Sequence, residues 1–111
     1  MKITDQRQGA VTVLKPEGPL VEADVPSFKQ RLTETLNSSL GRFVVDVSAI
    51  PFIDSLGLEA LVDVTEEMGK SGQVLRLCAA NKTIREVLEL TDLASQFDHF
   101  EDTNTAIRSF L

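Results

Sequence analysis

The hydrophobic pattern of this sequence changes abruptly at an Asp-Ser pair. Residues 43–47 are mostly apolar and β-branched, which is typical of a buried strand. Beyond Asp54 and Ser55 the apolar positions recur at helical spacing, so they would form one stripe along a helix: Leu58, Leu61, Val62, Thr65 and Met68. Aspartate and serine are good helix N-caps, because their side-chain oxygens accept hydrogen bonds from the first amides. The pair is therefore predicted to lie where a strand is followed by a helix. Gly57, in the predicted first turn, would let another group approach the backbone closely.

The remaining sequence predicts further strands and helices in alternation. Residues 3–8 and 11–14 read as an edge strand and a clearer strand joined by a Gly-Ala turn, and the Pro-Glu-Gly-Pro of residues 16–19 is expected to end the second strand. Residues 74–78 and 97–100 are two more predicted strands. Helices are expected to begin at four residues able to act as N-caps: Asp24, Asp54, Asn81 and Asp102. The packing face of the last helix is predicted to comprise four residues: Ala106, Ile107, Phe110 and Leu111.

This order of elements predicts the fold class. The first two strands would pair as an antiparallel hairpin, whereas strands joined by helices normally run parallel with right-handed crossovers. We therefore expect an α/β fold with a mixed sheet, an N-terminal antiparallel hairpin, a parallel core and about four packed helices. A chain of 111 residues fits a single domain over residues 1–111, large enough to bury a core without metal or disulfide support.

Composition limits the possible functions. The net charge of −6 argues against nucleic-acid and anionic-membrane binding, because phosphates would be repelled. The single cysteine, Cys78, lies in an apolar run and is predicted to be a reduced core residue. With one cysteine and one histidine, the chain offers no usual transition-metal ligand set, and no cofactor is expected. Without a signal-peptide core or an apolar run of membrane-spanning length, a cytoplasmic location is predicted.

Ser55 has three possible roles: a helix cap alone, a catalytic nucleophile, or an acceptor of phosphate from a partner. A nucleophile needs a base, and the only histidine, His99, lies between two phenylalanines and is predicted to be a partly buried strand residue. Residues 54–57 weakly resemble GDSL-type hydrolases, but Ile53 replaces their glycine, and the hydrolase motif Gly-x-Ser-x-Gly is absent. The nucleotide-binding motifs Gly-x-Gly-x-x-Gly and the P-loop are absent as well. The protein is therefore predicted not to be an enzyme.

Residues 53–58, Ile-Asp-Ser-Leu-Gly-Leu, following the strand at 44–47, resemble the signature of the STAS family, the anti-sigma factor antagonists. The resemblance is specific in this motif and extends more diffusely over nearly the whole chain. It implies the mixed-sheet fold expected above. In that family the serine after the aspartate is phosphorylated by a partner kinase, so by position Ser55 would be the phosphoacceptor and Asp54 its neighbour.

The resemblance also implies partners. Family members bind an anti-sigma factor that is also an ATP-dependent serine kinase of the histidine-kinase-like ATPase fold. The unphosphorylated antagonist captures that kinase and frees the sigma factor, phosphorylation releases the antagonist, and a PP2C-type phosphatase resets it. Family members of this size are commonly monomers when free.

By the same resemblance, a docking surface around Ser55 would include Asp54, Leu56, Gly57, Glu59 and Asp46. Asp46, at the end of the preceding strand, matches a position where the family often has Asp or Asn. Residues 18–21, Gly-Pro-Leu-Val, resemble the family's Gly-x-Leu-Asp turn, which adds Leu20 and Val21 to the expected surface.

Two departures from the family pattern affect this surface. Leu56 stands where the family often has a hydroxyl or a small residue, and Val21 replaces the usual Asp, which could alter the choice of partner. An alternative function is a STAS interaction subunit that does not switch, in a lipid-transport or stressosome-like complex. Ser55 favours the switching antagonist, because a pure scaffold does not need an exposed hydroxyl at that position.

Overall fold

The computed structural model of the protein describes residues 1–111 and contains one five-stranded sheet in the order β1-β2-β3-β4-β5. The strands are β1 (Lys2–Gln8), β2 (Val11–Glu17), β3 (Phe43–Asp46), β4 (Arg76–Cys78) and β5 (Asp98–Phe100). The helices are α1 (Val25–Ser39), α2 (Ser55–Gly69), α3 (Lys82–Leu90) and α4 (Thr103–Arg108), with 3-10 turns at Glu22–Asp24 and Ala94–Gln96. Strands β1 and β2 are antiparallel and all other pairs are parallel, which confirms the predicted mixed α/β fold.

The two faces of the sheet are covered unequally. Helices α1, α2 and α3 pack over one face in a large apolar cluster that includes Phe43 and Val45 of β3. The short helix α4 covers the other face, where Ala106 packs in a smaller cluster with Val44. Because successive strand residues point to opposite faces, β3 is buried on both sides, as a central parallel strand should be. None of the helices has the length and apolar content needed to cross a membrane.

The strand boundaries differ from the sequence prediction, by one residue in β1, β3 and β5 and more clearly in β2 and β4. Strand β2 continues through Pro16 to Glu17, so the expected break at residue 16 is wrong. Pairing between β2 and β3 ends at Leu14, and Pro16, which has no N–H to donate, therefore interrupts no ladder with β3. Strands β4 and β5 begin later than predicted, at Arg76 and Asp98.

Three of the four predicted helix caps are confirmed. Each accepts a hydrogen bond from the amide three residues on: Asp54 from Gly57 at 2.8 Å, Asn81 from Ile84 at 2.9 Å, and Asp102 from Thr105 at 2.7 Å. Asp24 precedes α1, but its side chain makes no cap bond and instead contacts the amino group of Met1 at 3.1 Å. The 3-10 turn before α1 already holds Asp24 in helical backbone geometry, whereas a capping residue is usually extended.

Two predicted burial assignments are wrong and one is confirmed. His99 is exposed, and its Nε2 lies 2.6 Å from the carbonyl oxygen of Ala94. It belongs to β5, an edge strand, so only one side of its strand is paired. Leu111 was expected on the packing face of α4, but it is 98% exposed beyond the end of that helix. Cys78 is buried as predicted, in the cluster under α4.

Candidate functional site

Ser55 is the first residue of α2, at the carboxyl end of the parallel strands, and its side chain is exposed. Its hydroxyl has no hydrogen-bond partner within the chain, so cap formation falls to Asp54 alone. The amide groups in the first turn of a helix carry partial positive charge, which favours an anionic group placed beside them. The structure therefore presents a free hydroxyl at a helix N-terminus.

The side chain of Asp54 fixes the backbone on both sides of this hydroxyl. One carboxylate oxygen, Oδ1, accepts from the amide of Gly57 in α2 at 2.8 Å. The other, Oδ2, accepts from the amide of Glu22 at 2.9 Å, across 32 residues of chain. Hydrogen bonds to a charged acceptor are stronger than neutral ones. Asp54 therefore joins the start of α2 to the loop that leads into α1.

The loop at residues 18–22 lies along the segment at residues 49–54 that precedes α2. Leu20 forms an isolated parallel bridge with Ile53, and its amide donates to the carbonyl oxygen of Phe52 at 3.1 Å. The amide of Asp54 donates in turn to the carbonyl oxygen of Leu20 at 3.1 Å. The two segments predicted separately from the sequence are thus brought together as one corner, with half-buried Val21 beside Leu20.

Gly57 and Leu20 form the inner side of this corner rather than its surface. Leu20 is fully buried, and Gly57 is buried too. A Cβ at position 57 would meet the carbonyl oxygen of Leu20 and would lie 2.8 Å from Cγ2 of Ile53. The close approach predicted at Gly57 is therefore made by Leu20 of the same chain. The expectation that Leu20 and Gly57 lie on a docking surface is wrong, because both residues are buried.

The exposed part of the corner is apolar beside Ser55 and acidic around it. Phe52 is 49% exposed and Leu56 is 39% exposed, while Glu59 and Glu22 are exposed carboxylates. The sequence analysis missed Phe52. A signal was present, because residue 52 follows Pro51, outside any predicted strand or helix that would bury a phenylalanine.

Asp46, the last residue of β3, points away from α2. Its Oδ1 accepts from the amide of Ser48 at 2.9 Å, and its side chain lines a cavity on the α4 face together with Thr103. Strand alternation explains this placement, since Val45 points toward α2 and the next residue must point to the opposite face. The structure thus places the Asp46 side chain on the face of the sheet opposite α2, and its part in a docking surface stays a prediction.

No histidine is hydrogen-bonded to Ser55. The only histidine, His99, is on β5, two strands away from β3, and its Nε2 contacts a backbone carbonyl oxygen. A serine nucleophile needs a base within hydrogen-bond reach. The corner presents the exposed hydroxyl of Ser55 between two partly exposed apolar side chains, Phe52 and Leu56.

The profile of the STAS domain matches residues 2–106, so the chain belongs to the STAS domain family. Among curated proteins it is similar to BtrV of Bordetella bronchiseptica, whose name assigns it as an anti-sigma factor antagonist. The two are 23% identical over 110 residues, covering 99% of this chain and 95% of BtrV. The family resemblance of the motif at residues 53–58 is thereby confirmed.

Solved structures show the same fold. A Thermotoga maritima protein described as an anti-sigma factor antagonist has a TM-score of 0.87 at 22% identity, covering 96% of this chain and 92% of the other. The phosphorylated form of SpoIIAA, a cell fate determinant of Bacillus, has a TM-score of 0.74 at 14% identity, covering 99% and 100% of the two chains. At these identities the likeness establishes the architecture.

Proposed function

We propose that this protein is an anti-sigma factor antagonist whose binding is switched by phosphorylation of Ser55. The observation that carries the proposal is the free, exposed hydroxyl of Ser55 at the start of α2. The family and the name of BtrV support the antagonist role. SpoIIAA, which shares the fold, has been solved in unphosphorylated and phosphorylated forms, and this supports the switch.

A phosphate on Ser55 would change the character of this surface. It adds about −1.5 to −2 charges at neutral pH, next to Phe52 and Leu56 and close in sequence to Asp54 and Glu59. At roughly 5 Å from an acidic group of the partner, and at an effective dielectric constant near 20, the repulsion is several kcal/mol before salt screening. Since about 1.4 kcal/mol changes an affinity tenfold, one phosphate is sufficient to separate the two proteins.

The proposed partner is an anti-sigma factor with serine kinase activity and a histidine-kinase-like ATPase fold. It would contact Phe52, Leu56 and Glu59 around Ser55, with Val21 at the margin. A PP2C-type phosphatase would restore the hydroxyl. The antagonist itself would act in the cytoplasm as a single domain, monomeric when free, without a cofactor or catalytic activity of its own.

The test is the intact mass of the purified protein after incubation with host lysate and Mg-ATP. The wild type should gain one phosphate, and Ser55→Ala should gain none. Ser48→Ala is the matched control, because Ser48 is an exposed serine in the loop before α2, and it should be phosphorylated like the wild type. If the wild type gains no phosphate and is recovered in a stable complex regardless of Ser55, the protein is a scaffold subunit and the proposal fails.

A further inference from the structure

A groove of about 980 Å³ lies at the end of the sheet opposite to Ser55. It is bordered by residues at the amino-terminal ends of the parallel strands, among them Thr12 of β2 and Arg76 of β4. Ser38 and Ser39 at the end of α1 border it on one face of the sheet, and Phe110 after α4 borders it on the other. The groove thus runs across the amino-terminal ends of the parallel strands, from one face of the sheet to the other. It is remote from the corner that contains Ser55.

Three arginines line this groove: Arg7, Arg42 and Arg76. None of their side chains takes part in a hydrogen bond or an ion pair within the chain, whereas Arg31 nearby pairs with Asp5 at 3.4 Å. Their clustering stands out because the chain has 11 basic and 17 acidic residues. A guanidinium group is a planar set of donors that matches the oxygens of a phosphate.

Arg76 is the least exposed of the three. Its guanidinium carbon lies 3.8 Å from the centre of the Phe110 ring, a cation–π contact that holds the group in place. Its Nε is buried and has no hydrogen-bond partner. A ligand in the groove would therefore meet the two terminal NH2 groups of this guanidinium, which are neither buried nor paired, rather than its Nε.

The charge balance in the groove favours an anion. Two carboxylates also line it, Asp5 and Asp98, so the lining carries three positive against two negative side chains. Asp5 is already engaged by Arg31. Five hydroxyl groups complete the polar lining: Thr12, Thr35, Ser38, Ser39 and Ser109. Four of them already donate to backbone carbonyl oxygens, so toward a ligand they act as acceptors, and only Thr12 has a free proton to donate. The net charge of the chain is −6, but the side chains that line this groove carry a net charge of +1.

We propose that this groove binds a small phosphorylated ligand through Arg7, Arg42 and Arg76. Its volume lies within the range of about 300–1,000 Å³ that is usual for small-molecule sites. The unpaired guanidinium groups would hold the phosphate, and the surrounding hydroxyls would bond to the rest of a polar ligand. The proposal is independent of phosphorylation at Ser55, because the two sites lie at opposite ends of the sheet and share no residue.

The test is a titration of the purified protein with inorganic phosphate and with pyrophosphate, followed by the NMR signals of the arginine Nε–H groups. Sodium chloride at equal ionic strength controls for screening, and sodium acetate controls for a simple carboxylate. We expect saturable shifts of the Arg76, Arg42 and Arg7 signals with the phosphates, and weaker binding of acetate. The signal of Arg108, an exposed arginine outside the groove, should follow chloride alone.

Variants make the assignment specific. Arg42→Gln and Arg76→Gln should each weaken pyrophosphate binding about tenfold or more, since a charge-assisted pair is lost. Arg108→Gln should bind like the wild type. Arg42 is exposed, so its replacement tests the site even if Arg76→Gln disturbs packing against Phe110. Shifts that do not saturate, that chloride or acetate reproduces, or that survive in Arg42→Gln would overturn the proposal.

Discussion

The Oδ2 atom of Asp54 lies 2.9 Å from the backbone nitrogen of Glu22, whose amide hydrogen it accepts. This bond joins the residue before Ser55 to the loop before α1, and the second oxygen of the same carboxylate caps α2. Asp54 therefore has an architectural role that its position beside the proposed phosphoacceptor would not by itself imply. It fixes the position of Ser55 relative to the neighbouring loop.

Replacing Asp54 should separate these two contacts. Asparagine has only one acceptor oxygen, so Asp54→Asn can keep the bond to Gly57 or the bond to Glu22, whereas Asp54→Ala loses both. We expect Asp54→Ala to lower the free energy of unfolding by about 2–4 kcal/mol and Asp54→Asn by about half as much. Urea denaturation measures both. Equal stability of Asp54→Ala and the wild type would show that the carboxylate does not join the two segments.

Gly57 should not tolerate even a methyl group. Alanine favours helices by about 1 kcal/mol over glycine, but here its Cβ would lie 2.8 Å from Cγ2 of Ile53 and 2.9 Å from Cγ of Leu20. We expect Gly57→Ala to destabilise the protein by about 1–3 kcal/mol, because the corner is overpacked. Gly69→Ala at the end of the same helix, where nothing lies within 4 Å, is the control and should be neutral or stabilising. The melting temperature of Gly57→Ala should fall, whereas that of Gly69→Ala should stay the same or rise. Equal shifts of the two melting temperatures would contradict the packing argument.

Phe52 should contribute to partner binding without being needed for the fold. It is 49% exposed beside the Ser55 corner, so truncation removes apolar contact area from the proposed interface. We expect Phe52→Ala to weaken capture of the partner about tenfold or more, measured by pull-down from host lysate. Leu90→Ala is the control, because Leu90 is an 86% exposed leucine on α3. Equal capture by both variants would remove Phe52 from the interface.

Cys78 should be unreactive in the folded protein. Desolvation by burial raises the pKa of its thiol to about 11, although the hydrogen-bonding contact with Thr103 opposes the shift. In the unfolded chain the thiol ionises near its ordinary pKa of 9.0, so at higher pH the unfolded state loses the proton first. The stability that the buried neutral thiol contributes is therefore complete below that pKa and is lost as the pH rises toward 11. A thiol reagent at pH 8 should therefore label Cys78 only on unfolding. Between pH 9 and pH 11, the free energy of unfolding of Cys78→Ala should fall less than that of the wild type. Rapid labelling under native conditions would contradict this account.

Local sequence patterns predicted the parts of the fold that depend on neighbouring residues. The caps at Asp54, Asn81 and Asp102 are bonds over three residues, and the corresponding helices begin where expected. The predicted cap at Asp24 is not formed, because a 3-10 turn sets the backbone of Asp24 before α1 begins. This turn starts at Glu22, whose amide donates to Asp54. That contact spans 32 residues and has no local signature.

The candidate site was predictable in part for the same reason. The exposure of Ser55 follows from its place at a strand-to-helix transition. The burial of Leu20 and Gly57 depends on two loops that meet only in the fold, and the position of Asp46 follows from strand alternation rather than from the family resemblance. The groove lined by Arg7, Arg42 and Arg76 is formed by residues far apart in the sequence, so no single stretch of sequence predicts it.

We expect phosphate on Ser55 to weaken partner binding strongly, and the most direct test is a pair of dissociation constants. The partner captured by the unphosphorylated protein is titrated against that protein and against the form phosphorylated on Ser55. We expect the phosphorylated form to bind about a hundredfold more weakly or worse, because the added charge meets an interface complementary to the neutral serine. Equal dissociation constants for the two forms would contradict the account.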